Sequence, residues 1–271
     1  MLLGEGARQL AAGSGTARLD AEVLLAHSLG VSRAWLAAHA DDVAAAATPF
    51  ASLIARRAAG EPLAYILGFK DFWTLRLRVT PAVLVPRPET ELLVERALAL
   101  APASSVCALD LGTGSGAIAL ALASERPAWK ITATDASLEA LAVAQANAAE
   151  LGLTRVGFLH GSWFGPLAGR RFDLVLSNPP YIAAADSALL HSALQCEPQM
   201  ALSPGPDGMA CLREIIQNAP HHLAPGGWLL LEHGADQEGE VAHELVARGF
   251  THVRSHRDLA GHERVTEARS T

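Results

Sequence analysis

The sequence predicts an α/β protein: a doubly wound sheet with an antiparallel edge hairpin, preceded by a small N-terminal helical bundle and a β-hairpin linker. Three observations carry this reading. From Glu89 onward, apolar strand candidates alternate with helical stretches, the rhythm of strands joined by helical crossovers. The first of those strands runs into Asp110-Leu111-Gly112-Thr113-Gly114-Ser115-Gly116, and a helical run follows at once. The opening residues, to about Ala59, carry helical periodicity instead. Hydrophobic residues make up 50% of the 271 and charged residues only 18%, which is enough apolar surface for a sizeable core.

In chain order, Leu19, Val23, Leu24 and His27 recur at helical spacing until Gly30 ends the pattern. Ser32 is placed to cap the next short helix, and Pro49 opens another that runs into Arg56 and Arg57. These arginines read as solvated charges that could also meet a partner. Between Gly60 and Pro88 the chain is punctuated by glycine and proline, and Leu75-Arg76-Leu77-Arg78-Val79 alternates as a hairpin strand does. Strands are expected at 106–109, 131–134, 157–159, 174–176 and 228–231, with helices at 117–123, 138–151 and 209–223. Stretches 251–253 and 264–267 flank a polar turn and complete the edge hairpin.

The glycine loop lets the backbone turn tightly and approach a ligand, and the following helix presents free N–H groups there. The next strand ends in Asp135, whose carboxylate can accept both hydroxyls of a ribose. Gly112-x-Gly114-x-x-Ala117 also satisfies the dinucleotide fingerprint, so this loop alone does not choose between a nicotinamide cofactor and S-adenosylmethionine. Asp110, at the end of the first strand, favours the latter. So does a second motif at the same sheet edge: the strand Phe172-Asp173-Leu174-Val175-Leu176-Ser177 continues into Asn178-Pro179-Pro180-Tyr181.

Two prolines stiffen that turn and remove two backbone donors, leaving carbonyls as acceptors. The Asn178 side-chain oxygen and the Pro179 carbonyl can each accept one N–H of a substrate NH₂ group, and Tyr181 offers an aromatic wall. Such a clamp suits a planar amide or aromatic amine, whose delocalised lone pair makes it a poor nucleophile that gains from orientation. A strong general base is not required, since an N-methylated amide that still holds its extra proton sheds it readily.

The net charge of −7 argues against a protein that coats nucleic acid. The three cysteines lie far apart without a CxxC pair, which suits a reducing cytoplasm and suggests no zinc site. The histidines at 221–222 and at 252 and 256 lack matching ligand spacing. The first residues make a poor signal peptide, and apolar runs fall short of the roughly 20 residues a bilayer span needs. Arg87, between two prolines, is either a substrate-facing charge or a salt bridge fastening the linker.

The glycine loop and Asn178-Pro179-Pro180-Tyr181 together resemble class I N-methyltransferases. Gly60-Glu61-Pro62-Leu63-Ala64-Tyr65-Ile66-Leu67-Gly68, Val85-Pro86-Arg87-Pro88-Glu89-Thr90-Glu91, Glu197-Pro198 and Glu263-Arg264-Val265-Thr266 narrow the resemblance to the peptide chain release factor N5-glutamine methyltransferases. That resemblance implies S-adenosylmethionine as cofactor and S-adenosylhomocysteine as product. It also implies class 1 release factors as partners, the acceptor being the glutamine of their Gly-Gly-Gln motif, and a cytoplasmic, monomeric enzyme. Gly112, Thr113, Gly114, Ser115 and Gly116 would form the cofactor loop, with Asp135 on the ribose and Trp163 beside the adenine. Asn178, Pro179, Pro180 and Tyr181 would hold the glutamine. Residues 1–68 would dock the factor, 69–88 would link, and 89–271 would be the methyltransferase domain. Ser162 stands where family members often carry an acid. Ribosomal protein L3 glutamine methylation and DNA adenine-N6 methylation use related motifs. The Pro86–Pro88 linker speaks against the first, and the acidic charge and missing base-reading domain against the second.

Overall fold

The computed structural model describes residues 2–39, 47–102 and 104–271. The chain divides into two compact units, Met1–Phe69 with His191–Cys196, and Lys70–Leu190 with Glu197–Thr271.

The first unit contains α1 (Leu2–Leu10), α2 (Ala17–Leu29), α3 (Arg33–Ala38), α4 (Ala47–Ala58) and α5 (Leu63–Leu67). Gly30 ends α2 in a left-handed conformation, its N–H returning to the Ala26 and His27 carbonyls. The Ser32 side chain accepts from the Trp35 N–H, the expected cap of α3. The buried face of α2 is Ala21, Leu24 and Leu25, packed with Leu10, Leu36, Phe50 and Ile54. Leu19 and His27, expected on that face, are exposed. The stripe is displaced because Asp20 is buried in their stead, accepting hydrogen bonds from Ser14 and Thr16. Its counter-ion is Arg57, at 2.8 Å, so this arginine is a structural partner rather than a solvated charge.

In the second unit, β1 (Phe69–Phe72) and β2 (Leu75–Arg78) form the two-stranded linker sheet. Then come α6 (Glu91–Leu100), β3 (Cys107–Leu111), α7 (Ala117–Glu125), β4 (Lys130–Asp135), α8 (Leu138–Glu150), β5 (Gly157–His160) and β6 (Phe172–Ser177). The short α9 (Ser192–Gln195) belongs to the first unit, and the second continues with α10 (Ala210–His222), β7 (Leu223–Glu232), α11 (Glu238–Ala247), β8 (Thr251–Arg257) and β9 (Glu263–Arg269). The sheet order is β5-β4-β3-β6-β7-β9-β8. Strands β3 to β7 pair in parallel, while β9 pairs antiparallel with both β7 and β8.

A parallel sheet covered on both faces needs strands that are apolar on both sides. In β6, Leu174 and Leu176 enter one core and Val175 the other. Every residue of α7 from Ala117 to Ala123 is buried, which its alanines and leucines permit all round. The helix α11 was not expected: its sequence EGEVAHELVA mixes acids with small apolar residues and buries only Val241 and Leu245. Among the described residues, no helix is long and apolar enough to cross a membrane.

Candidate active site

Chain order reverses direction at the centre of the sheet: the crossover from β3 leads to β4 on one side, while β6 lies on the other. Open α/β sheets bind ligands at such a switch point, outside the carboxyl ends of the strands. The glycine loop leaves β3 and the Asn-Pro-Pro-Tyr loop leaves β6, and the Ser177 hydroxyl donates to the Leu111 carbonyl (2.8 Å), tying the two strand ends together. A cavity of about 270 Å³ opens there, walled by Gly112, Gly114, Asp135, Trp163, Asn178 and Pro180. Ser162 is also on the wall. Thr113, Ser115, Gly116, Pro179 and Tyr181 are brought close in sequence but do not line it.

Those five residues have other work in the structure. Thr113 donates through its hydroxyl to Asp110 Oδ2 (2.7 Å), and the Ser115 carbonyl accepts from Asn147 Nδ2 (2.8 Å). Gly116 starts α7 at φ 85°, where a Cβ would come within 3.0 Å of Leu120 and 3.3 Å of Ala144. It packs between α7 and α8, where a side chain has no room. Pro179 is buried, and no described donor reaches its carbonyl. Tyr181 packs its ring against the core and donates its hydroxyl to Glu232 Oε1 (3.3 Å), so it does not present the open aromatic wall expected of it. Its carbonyl is held by Gln237 Nε2 (3.0 Å).

The wall residues are held firmly. Gly112 adopts φ 70°, and a Cβ there would sit 3.3 Å from Trp163 Cζ3. Trp163 itself has φ 44°, a left-handed backbone that costs a non-glycine residue energy. Its carbonyl accepts from the Thr134 hydroxyl (3.0 Å), which holds it in place. Asp135 accepts from Gly114 N–H (2.8 Å) and Ser137 N–H (2.9 Å), one bond to each oxygen. Each carboxylate oxygen retains a lone pair for a further donor. Asn178 donates through Nδ2 to the Thr90 hydroxyl oxygen (3.0 Å), which leaves Oδ1 as its remaining acceptor.

The charged groups behind the wall are unusual. Asp110 is buried, and burial pushes its carboxyl up to about 7 against the opposing bonds from Thr113 and Ala119 N–H. Its Oδ1 has no partner among the described residues. Glu232 is fully buried and likewise pushed up to about 7 by burial, with Thr90, Arg264 and Tyr181 opposing. Arg87 pairs with the buried Glu197 (2.5 Å), which also accepts from Val85 N–H. Of the two readings of Arg87, the structure supports the salt bridge. It joins the segment bearing Val83 to the one bearing Pro198 and Met200, three further wall residues.

Glu232, Val83 and Met200 were not found by reading the sequence for motifs, and Thr90 was read only as part of the Val85–Glu91 motif, with no role of its own. Only Glu232 carried a signal, as an acid ending an apolar strand at the same sheet edge.

These features suit a small nucleoside ligand between backbone-lined and carboxylate-bearing walls, beside a fixed amide acceptor. The PrmC N-terminal domain family matches residues 2–68, and the methyltransferase small domain family matches 88–207. A release factor glutamine methyltransferase of Pseudomonas aeruginosa is 50% identical over 255 residues, covering 93% of this chain and 92% of that protein. One of Salmonella typhimurium is 46% identical over 267 residues, covering 95% and 94%. A solved methyltransferase from Pyrococcus furiosus shares the fold, with a TM-score of 0.55 at 19% identity over 79% of this chain and 96% of that one. The fold, the paired loops and these relatives lead to one family: this chain belongs to the release factor glutamine methyltransferases.

Proposed function

We propose that the chain transfers a methyl group from S-adenosylmethionine to the side-chain amide nitrogen of a glutamine in a peptide chain release factor, the glutamine of its Gly-Gly-Gln motif. The observation that carries this reading is the Asn178 amide, whose Nδ2 is committed to Thr90 and whose oxygen is therefore the acceptor left at the cleft.

The residues present fit the cofactor. Asp110 Oδ1 is an orphaned buried acceptor, a condition that the cationic amine of a methionine group relieves. Asp135 would hold the ribose, Trp163 would lie beside the adenine, and Gly112 and Gly114 would leave backbone, not side chain, against the ligand. S-adenosylmethionine supplies an electrophilic methyl on a sulfonium. Asn178 Oδ1 and the Pro179 carbonyl would accept the two N–H bonds of the glutamine amide, fixing its plane. As the nitrogen gains positive charge, those N–H bonds become more acidic and the same acceptors hold them more strongly. Tyr181 contributes by anchoring the loop.

Residues 1–68 would dock the factor, 69–88 would link, and 89–271 would carry the chemistry; helical periodicity in the first part and strand–helix alternation in the last support that division. An acceptor of this kind puts the reaction in the cytoplasm. Methyl transfer from labelled S-adenosylmethionine to a purified release factor tests the reading. Label should reach a single glutamine; label in DNA, or in ribosomal protein L3 alone, would overturn it.

A further inference from the structure

A second cavity, of about 560 Å³, lies at the same edge of the sheet, between the start of α6 and the β8–β9 turn. It is larger than the cofactor cleft, and methyl transfer leaves it without a task. One segment borders both: Val83 stands in the wall of the cleft, and Pro88 and Glu89 in the wall of the second cavity. Their separation follows from the strand register. Ser177 pairs with Leu231, Leu231 with Thr266 and Thr266 with Ser255, so three strand spacings part the Asn178 loop from the His256 wall. At about 4.8 Å each, that is about 14 Å, the reach of four or five extended residues.

The walls of this groove are apolar and acidic. Trp73 and Leu92 are half-buried, and Leu259, at the tip of the turn, is wholly exposed. The turn is pinned by Asp258, which accepts from Ala260 N–H (2.9 Å), His262 N–H (3.0 Å) and Arg264 (3.3 Å). The cations of the walls are already matched: Arg96 pairs with Glu267 (3.0 Å), His256 leans on the same acid (3.0 Å), and Arg257 pairs with Glu263 (2.7 Å). Among the described residues, the wall acids Glu89, Glu91 and Glu95 have no ion-pair partner. Glu91 and Glu95 stand one turn apart on α6, where like charges repel. A bound cation relieves that repulsion.

We propose that this groove docks a segment of the acceptor protein that bears a lysine or arginine beside an apolar side chain, one short stretch of chain away from the reacting glutamine. The basic head meets the three carboxylates, while its apolar neighbour covers Leu92 and Leu259. A small cation has no use for an exposed leucine, and a second copy of this chain, at a net charge of −7, brings like charge to the groove. This role rests on the methyl-transfer reading above.

The test uses the full chain, labelled S-adenosylmethionine and a purified release factor, with initial rates read across factor concentration. Leu259→Ser and Glu95→Lys should each raise KM for the factor roughly five-fold or more, while kcat and the affinity for S-adenosylhomocysteine stay within about two-fold. Both positions are exposed, so the variants keep the fold, and Glu95 lies beyond the first turn, where the dipole of α6 favours acids. Glu150→Lys makes the same charge change at the far end of α8 and should leave KM at the wild-type value. A wild-type KM in either groove variant overturns the inference. So does an equal rise in Glu150→Lys, which would report net charge alone. A wild-type dimer in sedimentation that Leu259→Ser dissolves, with KM unchanged, gives the groove to a second copy and overturns it too. A wild type that transfers no label at all removes the underlying reading, and the inference with it. Wild-type turnover with unaffected variants removes only the docking role.

Discussion

The loops after β3 and β6 leave neighbouring strands at the same edge, yet they make their surfaces by opposite means. The glycine loop presents backbone: Gly112 and Gly114 form its part of the wall, and its side chains turn inward to Asp110 or into the core. The Asn-Pro-Pro-Tyr loop lines the wall with Asn178 and Pro180, and proline has removed its donors. The first is held closer by in the chain, by Asp135, which accepts the Gly114 N–H from 21 residues on. The second is held from far away, by Thr90 and Glu232, 88 residues before Asn178 and 51 residues after Tyr181. A binding loop can thus be fixed by its own backbone geometry, whereas an orienting amide must be fixed by a network from outside.

That contrast breaks down most visibly if the two loops fail separately. Asn178→Ala should cut kcat by roughly 10²-fold or more, as loss of one preorganised transition-state contact does. Affinity for S-adenosylhomocysteine, measured by titration calorimetry, should stay within about three-fold. A parallel loss of that affinity would mean the two loops build one pocket rather than two functions.

Gly112→Val tests the other loop. Its side chain must adopt a φ of 70° and meet Trp163 at 3.3 Å. The left-handed backbone costs about 1–2 kcal/mol of stability, and the added side chain stands in the wall of the cavity, so cofactor affinity should fall by roughly ten-fold or more. The capture of release factor, read by pull-down without cofactor, should be unchanged.

The smallest effect sharpens the comparison through pH. The Asp110 carboxyl is raised from 3.8 to about 7 by burial. The folded chain therefore holds a proton there that the unfolded chain has released, and stability falls as pH rises from about 4 to about 7. Asp110→Asn removes that charge cost. Its thermal midpoint should match wild type near pH 4 and exceed it above pH 7, by the few degrees that a gain on the order of 1 kcal/mol gives in a chain of this size. Glu232 has the same sign, so part of the slope should remain in the variant. Cofactor affinity should drop most above pH 7, where wild-type Asp110 is ionised and the variant has no carboxylate to offer a cationic amine. A variant that is no more stable at pH 8 would mean Asp110 is already relieved in the folded protein.

What could be read in advance follows from the same contrast. The strand–helix rhythm placed β3 to β9 to within a few residues, because each strand's own apolar run records its burial. Asn178 was legible because proline fixes the backbone around it, whatever lies elsewhere. Its anchors were not: Thr90 is one residue among several polar ones before α6, and only the paired ends of β6 and β7 bring Glu232 near. Tyr181 was read as a wall for the substrate, since the side-chain type suits that use, but tertiary packing turned its ring into the core. In α2, the helical spacing was right and Leu24 is buried as expected, but the face is shifted away from the exposed Leu19 and His27 by the buried ion pair between Asp20 and Arg57.

The placement of β9 between β7 and β8 bears on how the chain is made. β8 pairs with β9 and not with β7, so until β9 docks, β7 stands with an open row of N–H and C=O groups. Until Glu263–Arg269 arrives, that row is a template for any passing extended chain. The nascent protein is most vulnerable to aggregation late in synthesis, when nearly all of its core has already been translated.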